Sequence, residues 1–441
     1  MTETSPLAPV LTPEGWELLN SLPAYDDAAS MALNQRLRDA GHDAGLVAAA
    51  LTQSRLRRDA RAKFGGFAER MLFTDDGLQQ STRLPVAARH ARRFREAGVT
   101  SVADLGCGLG ADAMAAAALG LDVVGVEADE TTAAAATMNL AAFPEARVEH
   151  TAAEDFVAAH QLAEPGRAAA LGWGLWLDPA RRDVDAGRSA GGRTKRLWNP
   201  ETFSPPLSLV TELAATGVPL GVKLGPGLPH ELIPSDCEAE WVSVDGQVVE
   251  VVLWFNALAR PGVRRAATVL RTAGGDAGTD EASLAVEELT SGEDFDEAPE
   301  PRVAGRAGLT GMLCEPDGAV IRAGLVADLA DQLRGRMLDE HIAYFCVDAE
   351  DAEAAASTAT VRAHRVVEVL DFSVKRLKRW VAEHGVGRLE IKKRGVDVVP
   401  EQLRTQLLGG KKKRDGAAAT LVITRLGEDR VVAVVDPLPR R

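Results

Sequence analysis

The sequence predicts an α/β chain: a doubly wound, largely parallel sheet, preceded by a helical region and followed by a small α+β domain. Three observations carry this. Between residues 99 and 224 short apolar runs alternate with segments of helical period, as strands joined by covering helices do. The glycine cluster Gly106-Cys-Gly-Leu-Gly110 sits where a strand gives way to a helix. Beyond residue 361 the strand and helix patterns alternate again in a segment of opposite charge to the rest.

The elements follow in order. Residues 1–75 read as helices: MALNQRLRDAG stops at Gly41, and AGLVAAALTQSRLRRDARAKF is broken by Gly65-Gly66. LPVAARHARRFREAG opens with Pro85 and stops at Gly98. Within 76–270, VTSVADLG, LDVVGVE, RVEHTA, LGWGLWLD and VPLGVKLG are strands. EAEWVSV and QVVEVVLWF, joined by Asp245-Gly246, form a hairpin expected to close the edge of that sheet. Residues 272–301 hold ten Asp/Glu and no Lys/Arg, so 271–301 is expected to be an acidic linker or excursion. A small α/β unit is expected over 302–360. A compact basic module follows over 361–441, with SVKRLKRWVAEHG as a helix and TLVITRL paired with RVVAVVD.

Composition bounds the function. At 441 residues the chain exceeds one ordinary core, and 46% hydrophobic content is that of a globular protein. The four cysteines (107, 237, 314 and 346) form no CxxC pair and no zinc-like spacing with His, so neither a metal nor a disulfide framework is expected. The N-terminus lacks a basic, then apolar, leader, and no apolar run reaches spanning length, so a cytoplasmic protein is expected. The net charge of −14 divides into +8 for residues 371–441 and −22 for residues 1–370. A basic end on an acidic body suggests a nucleic-acid contact.

The chemistry-bearing motif is Asp104-Leu-Gly-Cys-Gly-Leu-Gly110. Gly106, Gly108 and Gly110 let the backbone turn tightly and approach a ligand, while the helix behind presents free N–H groups. Glu127 ends the next strand, where a carboxylate can accept both hydroxyls of a ribose. Taken literally the glycines also fit an NAD site. Asp104 decides against it, because a carboxylate there repels the phosphates of NAD but can hold the ammonium of S-adenosylmethionine. Asp155, after the third strand, can take the adenine amino group.

These three carboxylates at successive strand ends resemble the cofactor motifs of class I S-adenosylmethionine-dependent methyltransferases. The resemblance covers roughly residues 76–260. It implies a Rossmann-like sheet of seven strands with an antiparallel final strand. In members acting on nucleic acids the fourth strand ends in Asp/Asn-Pro-Pro-aromatic. Here Asp178-Pro179-Ala180-Arg181-Arg182 keeps the Asp-Pro and lacks the second proline and the aromatic residue. Asp178 and Pro179 are still suited to align the acceptor and take a hydrogen bond from it. Arg181 and Arg182 can bind a substrate phosphate or pair with the acidic body. Lys223, at a strand end, is a further catalytic candidate. Trp198 and Phe203 can stack a base or anchor their loop, and Gln79 to Thr82 can close over the cofactor. Cys237 stands in the wrong context for a pyrimidine-C5 nucleophile.

The basic clusters Lys375-Arg376/Lys378-Arg379, Lys392-Lys393-Arg394 and Lys411 to Arg414 are candidate RNA contacts. EPDGAVIRAGL, VGRLEIKKRG and TLVITRL make the C-terminal half resemble the THUMP-like ending of bacterial class I methyltransferases. THUMP domains belong to RNA-modifying enzymes, so the resemblance implies methylation of tRNA or rRNA, at a base nitrogen. The alternatives are a small-molecule methyltransferase and a non-catalytic RNA-binding adaptor.

Overall fold

The computed structural model describes residues 5–181, 203–272, 284–297, 302–409 and 416–438. The chain divides into two compact units, one of Met1–Cys237, Val252–Arg260 and Thr272–Leu284, the other of Glu238–Val251, Pro261–Arg271 and Ala285–Arg441.

In the first unit the N-terminal helices Pro13–Ser21, Ser30–Asp39 and Ala44–Phe64 form where the apolar spacing places them. Thr12 caps the first by accepting from the Gly15 N–H at 3.1 Å. Asp43 caps the third by accepting from Gly45 and Leu46 at 2.8 and 3.0 Å, and Gly65 ends it at φ 52°. The helix Leu84–Glu96 carries Pro85 in its first turn.

The parallel strands of this unit are β1 (Ser101–Leu105), β2 (Asp122–Glu127), β3 (Ala146–His150), β4 (Trp173–Leu177) and β5 (Leu220–Leu224). Their order is β5-β4-β1-β2-β3. The chain leaves β1 toward β2 and later returns to its other side with β4. The direction of winding therefore reverses between β1 and β4, the place where open α/β sheets leave a crevice beyond their carboxyl ends. The register aligns Leu105 with Val126 and with Leu177. Glu127 and Asp178, each one residue further on, consequently emerge at the same level.

Beneath that end, Trp176 and Trp254 pack at a centroid distance of 5.6 Å, with His90 4.4 Å from Trp176. Aromatic side chains of this size each withdraw roughly 150–250 Å² from water, which makes this cluster a rigid floor. Gly221 in β5 makes room for it: a Cβ there would lie 2.7 Å from Trp254 and 2.8 Å from Trp176.

The hairpin strands are β6 (Cys237–Val244) and β7 (Gln247–Phe255), neighbours in the sheet. Asp245 and Gly246 both have positive φ, 51° and 86°, as a two-residue primed turn requires. The Val252–Phe255 end of β7 lies beside β5 within the first unit.

The second unit contains a seven-stranded sheet in the order 336–339, 342–347, 312–316, 361–371, 429–437, 417–426, 386–394. Its core follows from the two-residue period of strands. Leu421, Ile423, Val432 and Val434 face Leu377 and Trp380 of the helix Val374–Glu383 and Leu403 of the helix Pro400–Leu408. Val422, Val431, Ala433 and Val435, on the other face, pack with Leu313, Leu338 and Tyr344. Strands from 302–360 and from 361–441 thus share one sheet. Within the acidic segment, Leu284–Ser291 is a strand.

Candidate active site

A cavity of about 580 Å³ opens at the carboxyl ends of β1, β2 and β4. Gly106, Cys107 and Gly108 form one wall, Glu127 and Asp129 a second, and Asp178 with Ser204 and Pro205 a third. The glycine loop is held against β2: the N–H groups of Gly106 and Cys107 both donate to the Val126 carbonyl, at 2.9 and 3.0 Å. Gly106 and Gly108 have φ of 100° and 55°, the left-handed region where a side chain is strained. Glu127 ties the walls together, accepting from the Gly108 N–H at 3.0 Å and the Asp129 N–H at 2.9 Å. Each carboxylate oxygen retains a lone pair for a further donor.

Asp104 is 2% exposed, stands in the last two residues of β1 just before Gly106, and is not among the residues lining the cavity. Neither of its oxygens has a hydrogen-bond partner among the described residues. Burial, and then the nearby negative charges of Asp112 and Asp178, push its carboxyl well above the usual carboxylate range. A buried acceptor pair without donors is the environment a cationic ligand group would relieve.

Asp178 follows β4 directly and forms an ion pair with Lys223, near the end of β5. Lys223 is 9% exposed and also donates to Thr82 Oγ1 at 3.0 Å. Asp112 sits in the first turn of the helix Ala111–Ala118 and lines the cavity. Its Oδ1 lies 2.7 Å from Nδ1 of His90. Burial raises the Asp112 carboxyl, but the hydrogen bond and charge of His90, with Lys223 and Thr82, outweigh it and hold the carboxyl below its ordinary value. Behind the segment 78–82, Lys63 Nζ donates to the carbonyls of Leu78, Gln79 and Ser81 at 2.8, 2.7 and 2.7 Å. Burial, then Arg83 and Lys223, lower this ammonium to about 8.

Several expected residues fall elsewhere. Asp155 is exposed and is not on the cavity wall; its neighbour Glu154 is. Gln80, Ser81 and Thr82 do line the cavity. Phe203 is buried, and its backbone pairs with that of Arg181. Arg182, Trp198 and Lys411 to Arg414 lie outside the described residues, as does the side chain of Arg181. Cys107 and Cys237 are buried, and burial pushes the Cys107 thiol well above its usual range. Among the described residues no group of three His, Cys, Asp or Glu could hold a metal ion, and no helix is long and apolar enough to cross a membrane. The residues that reading the sequence missed are Asp112, His90, Ser204 and Glu154. Asp112 reads in the sequence as an ordinary acidic residue at a helix start.

In the second unit the basic clusters separate into two kinds. Lys392 Nζ pairs with Glu315 at 2.6 Å, Arg394 lies 3.9 Å from the same carboxylate, and its guanidinium stands 4.9 Å over the Tyr344 ring. Two of the three candidate RNA contacts on that strand thus carry an ion pair within the unit. Lys393 is exposed. On the helix Val374–Glu383, Lys375, Arg376, Lys378 and Arg379 share the exposed face, opposite buried Leu377, Trp380 and Val381. Arg376 pairs with Asp371 at 2.6 Å and Arg379 with Glu383 at 3.6 Å. Lys375 and Lys378 have no partner among the described residues.

An uncharacterized S-adenosylmethionine-dependent methyltransferase of Mycobacterium tuberculosis, known from strains CDC 1551 / Oshkosh and ATCC 25618 / H37Rv, is 31% identical over 388 residues. The alignment covers 84% of this chain and 91% of that protein. The chain belongs to the S-adenosylmethionine-dependent methyltransferases. Within this methyltransferase, residues 361–437 match a family described as THUMP domain-like, and residues 3–60 match a domain of unknown function. The solved structure of a candidate methyltransferase from Porphyromonas gingivalis W83 shares the fold, with a TM-score of 0.66 at 19% identity over 95% of this methyltransferase and all (100%) of that chain.

Proposed function

We propose that this methyltransferase acts on RNA, tRNA or rRNA, and that the acceptor is a base nitrogen. The THUMP domain-like match over 361–437 carries the RNA reading, and the exposed basic face of the helix Val374–Glu383 supports it. Ion pairing of Lys392 and Arg394 with Glu315 reduces the contact surface first expected, and shifts the weight to Lys375 and Lys378.

The cavity at the carboxyl ends of β1, β2 and β4 is the proposed cofactor site, in a sheet read as the seven-stranded methyltransferase type. Bound S-adenosylmethionine supplies a methyl group already activated by its sulfonium. Glu127 is suited to accept the ribose hydroxyls on the lone pairs left by Gly108 and Asp129. The orphaned carboxyl of Asp104 is suited to the ammonium, which would replace the missing donors and favour its ionised form. Glu154, which lines the cavity where Asp155 does not, is suited to accept from the adenine amino group.

Asp178 is the proposed acceptor group for the target N–H. Lys223 pairs with it and, anchored by Thr82, restrains its position. A carboxylate paired in this way is a weak base but a good hydrogen-bond acceptor. That suits a nitrogen whose proton becomes acidic only as the methyl group arrives. Pro179 holds the backbone beside it. The reading is tested by nucleoside mass spectrometry on RNA from cells with and without the gene. Loss of one methylated nucleoside, restored by the wild-type chain and not by Asp178→Asn, is the expected result. An unchanged set of methylated nucleosides would overturn the RNA reading.

A further inference from the structure

The first unit contains a second cavity, of about 690 Å³, sharing no lining residue with the cofactor site. Its size is that of a small-ligand pocket. Its wall combines four arginines (Arg57, Arg58, Arg61 and Arg70) with the rings of Trp16 and Tyr25, and among the described residues Glu69 is the single acidic one lining it. Two of the four charges are cancelled locally. Arg58 pairs with Asp27 at 2.7 Å and Asp59 at 2.9 Å, and Arg61 pairs with Glu69.

Two charges remain. Arg57 is 9% exposed; its Nε donates to the Met71 carbonyl at 2.9 Å and its Nη1 to Asn20 at 3.0 Å. Its Nη2 has no acceptor among the described residues. Arg70 is exposed and has no partner among them. Arg57, whose buried guanidinium has an unfilled donor, and the uncompensated Arg70 line the same cavity, and two such guanidiniums suit an oxyanion. The rings make that anion specific. The guanidinium of Arg57 lies 5.4 Å over Trp16 and that of Arg58 4.7 Å over Tyr25, two cation–aromatic pairs of the residue types on which bases stack. A carboxylate-rich peptide would use the charges and leave the rings idle.

We propose that this cavity binds a nucleotide unit, with its base on the Trp16 and Tyr25 pairs and its phosphate at Arg57 and Arg70. The chemistry is shared by single-stranded RNA and a free nucleoside monophosphate. The first source rests on the RNA reading above, and the second does not. The residues matched to a domain of unknown function thereby acquire a role, since Trp16, Tyr25, Arg57 and Arg58 fall within them.

The test uses the full chain, a short labelled single-stranded oligoribonucleotide followed by anisotropy, and adenosine and uridine monophosphates followed by calorimetry. Tyr25→Ala and Arg70→Glu alter a half-buried ring and an exposed side chain, so both variants are expected to fold, which circular dichroism verifies. Each is expected to weaken oligonucleotide binding about tenfold, and Arg70→Glu to reduce the salt slope by about one. Neither should change S-adenosylmethionine binding. If both variants bind the oligonucleotide as wild type does, while Lys375→Glu/Lys378→Glu loses it, the pocket is overturned and the RNA reading stands. Binding of the monophosphates alone, weakened by both variants, supports the pocket and removes RNA as its occupant. Binding of neither probe, or displacement by polyglutamate with no effect of Tyr25→Ala, overturns the pocket.

Discussion

Replacing Asp104 with asparagine removes a carboxyl that the fold buries at 2% exposure, with no hydrogen-bond partner for either oxygen among the described residues. Without ligand that group opposes folding, and the sign follows from its direction of shift. Burial raises its folded pKa, so the folded form binds a proton that the unfolded chain releases in the ordinary carboxylate range. Wild-type stability therefore falls as pH rises from about 4 toward the raised value, by at most about 1.4 kcal/mol per pH unit. Asparagine cannot titrate. The variant should gain on wild type with each pH unit, at about 2–4 °C of melting temperature per kcal/mol for a unit of this size. With S-adenosylmethionine the order reverses. Loss of one charge-assisted hydrogen bond costs roughly 1.5–3 kcal/mol, or roughly 10- to 150-fold in affinity. Scanning calorimetry of both proteins from pH 5 to 9, with and without cofactor, reads both effects. A variant that binds the cofactor as wild type does would refute the assignment of Asp104 to the ammonium. A stability difference independent of pH would refute its buried, proton-binding state.

Asp178→Asn should lower methyl transfer roughly 10²- to 10⁴-fold, the range for a positioned acid–base group, while cofactor affinity measured by calorimetry stays within a few-fold. Glu315→Gln should destabilise the second unit by about 1–3 kcal/mol at pH 7 in urea denaturation. There burial raises the Glu315 carboxyl, but His364 3.8 Å away, the hydrogen bond from Lys392 and the charge of Arg394 outweigh it and bring it to about 2, so the stabilisation is complete above about 4.5. The gap between variant and wild type should accordingly close as pH falls from 4.5 toward 2. Lys375→Glu/Lys378→Glu should weaken RNA binding at every sequence and flatten its salt dependence by about two in logarithmic slope. Lys392→Ala should leave that slope unchanged and lower the melting temperature instead, since its ammonium is engaged by Glu315.

Much of the fold lies in local sequence. The strand-to-helix junction at Gly106–Gly110, the caps at Thr12 and Asp43, and the Asp245-Gly246 turn each depend on residues within a few positions of one another. The ends of β1, β2 and β4 are equally local, and parallel pairing then brings Glu127 and Asp178 to one level. What the sequence by itself determined is therefore the α/β class, the glycine turn and the placing of Glu127 and Asp178 just at the ends of their strands. The tertiary structure decided which side chains meet. His90 reaches Asp112 across 22 positions, and Lys223 reaches Thr82 across 141. No local signal couples such pairs, because contact over that separation is set by packing of whole elements. Glu154 rather than Asp155 faces the cavity since successive helical residues point about 100° apart, so one position of phase exchanges wall for solvent. Lys392 and Lys393 read alike in the sequence. Only the sheet, which brings Glu315 to one of them from 77 positions away, distinguishes a charge paired inside the unit from one left exposed.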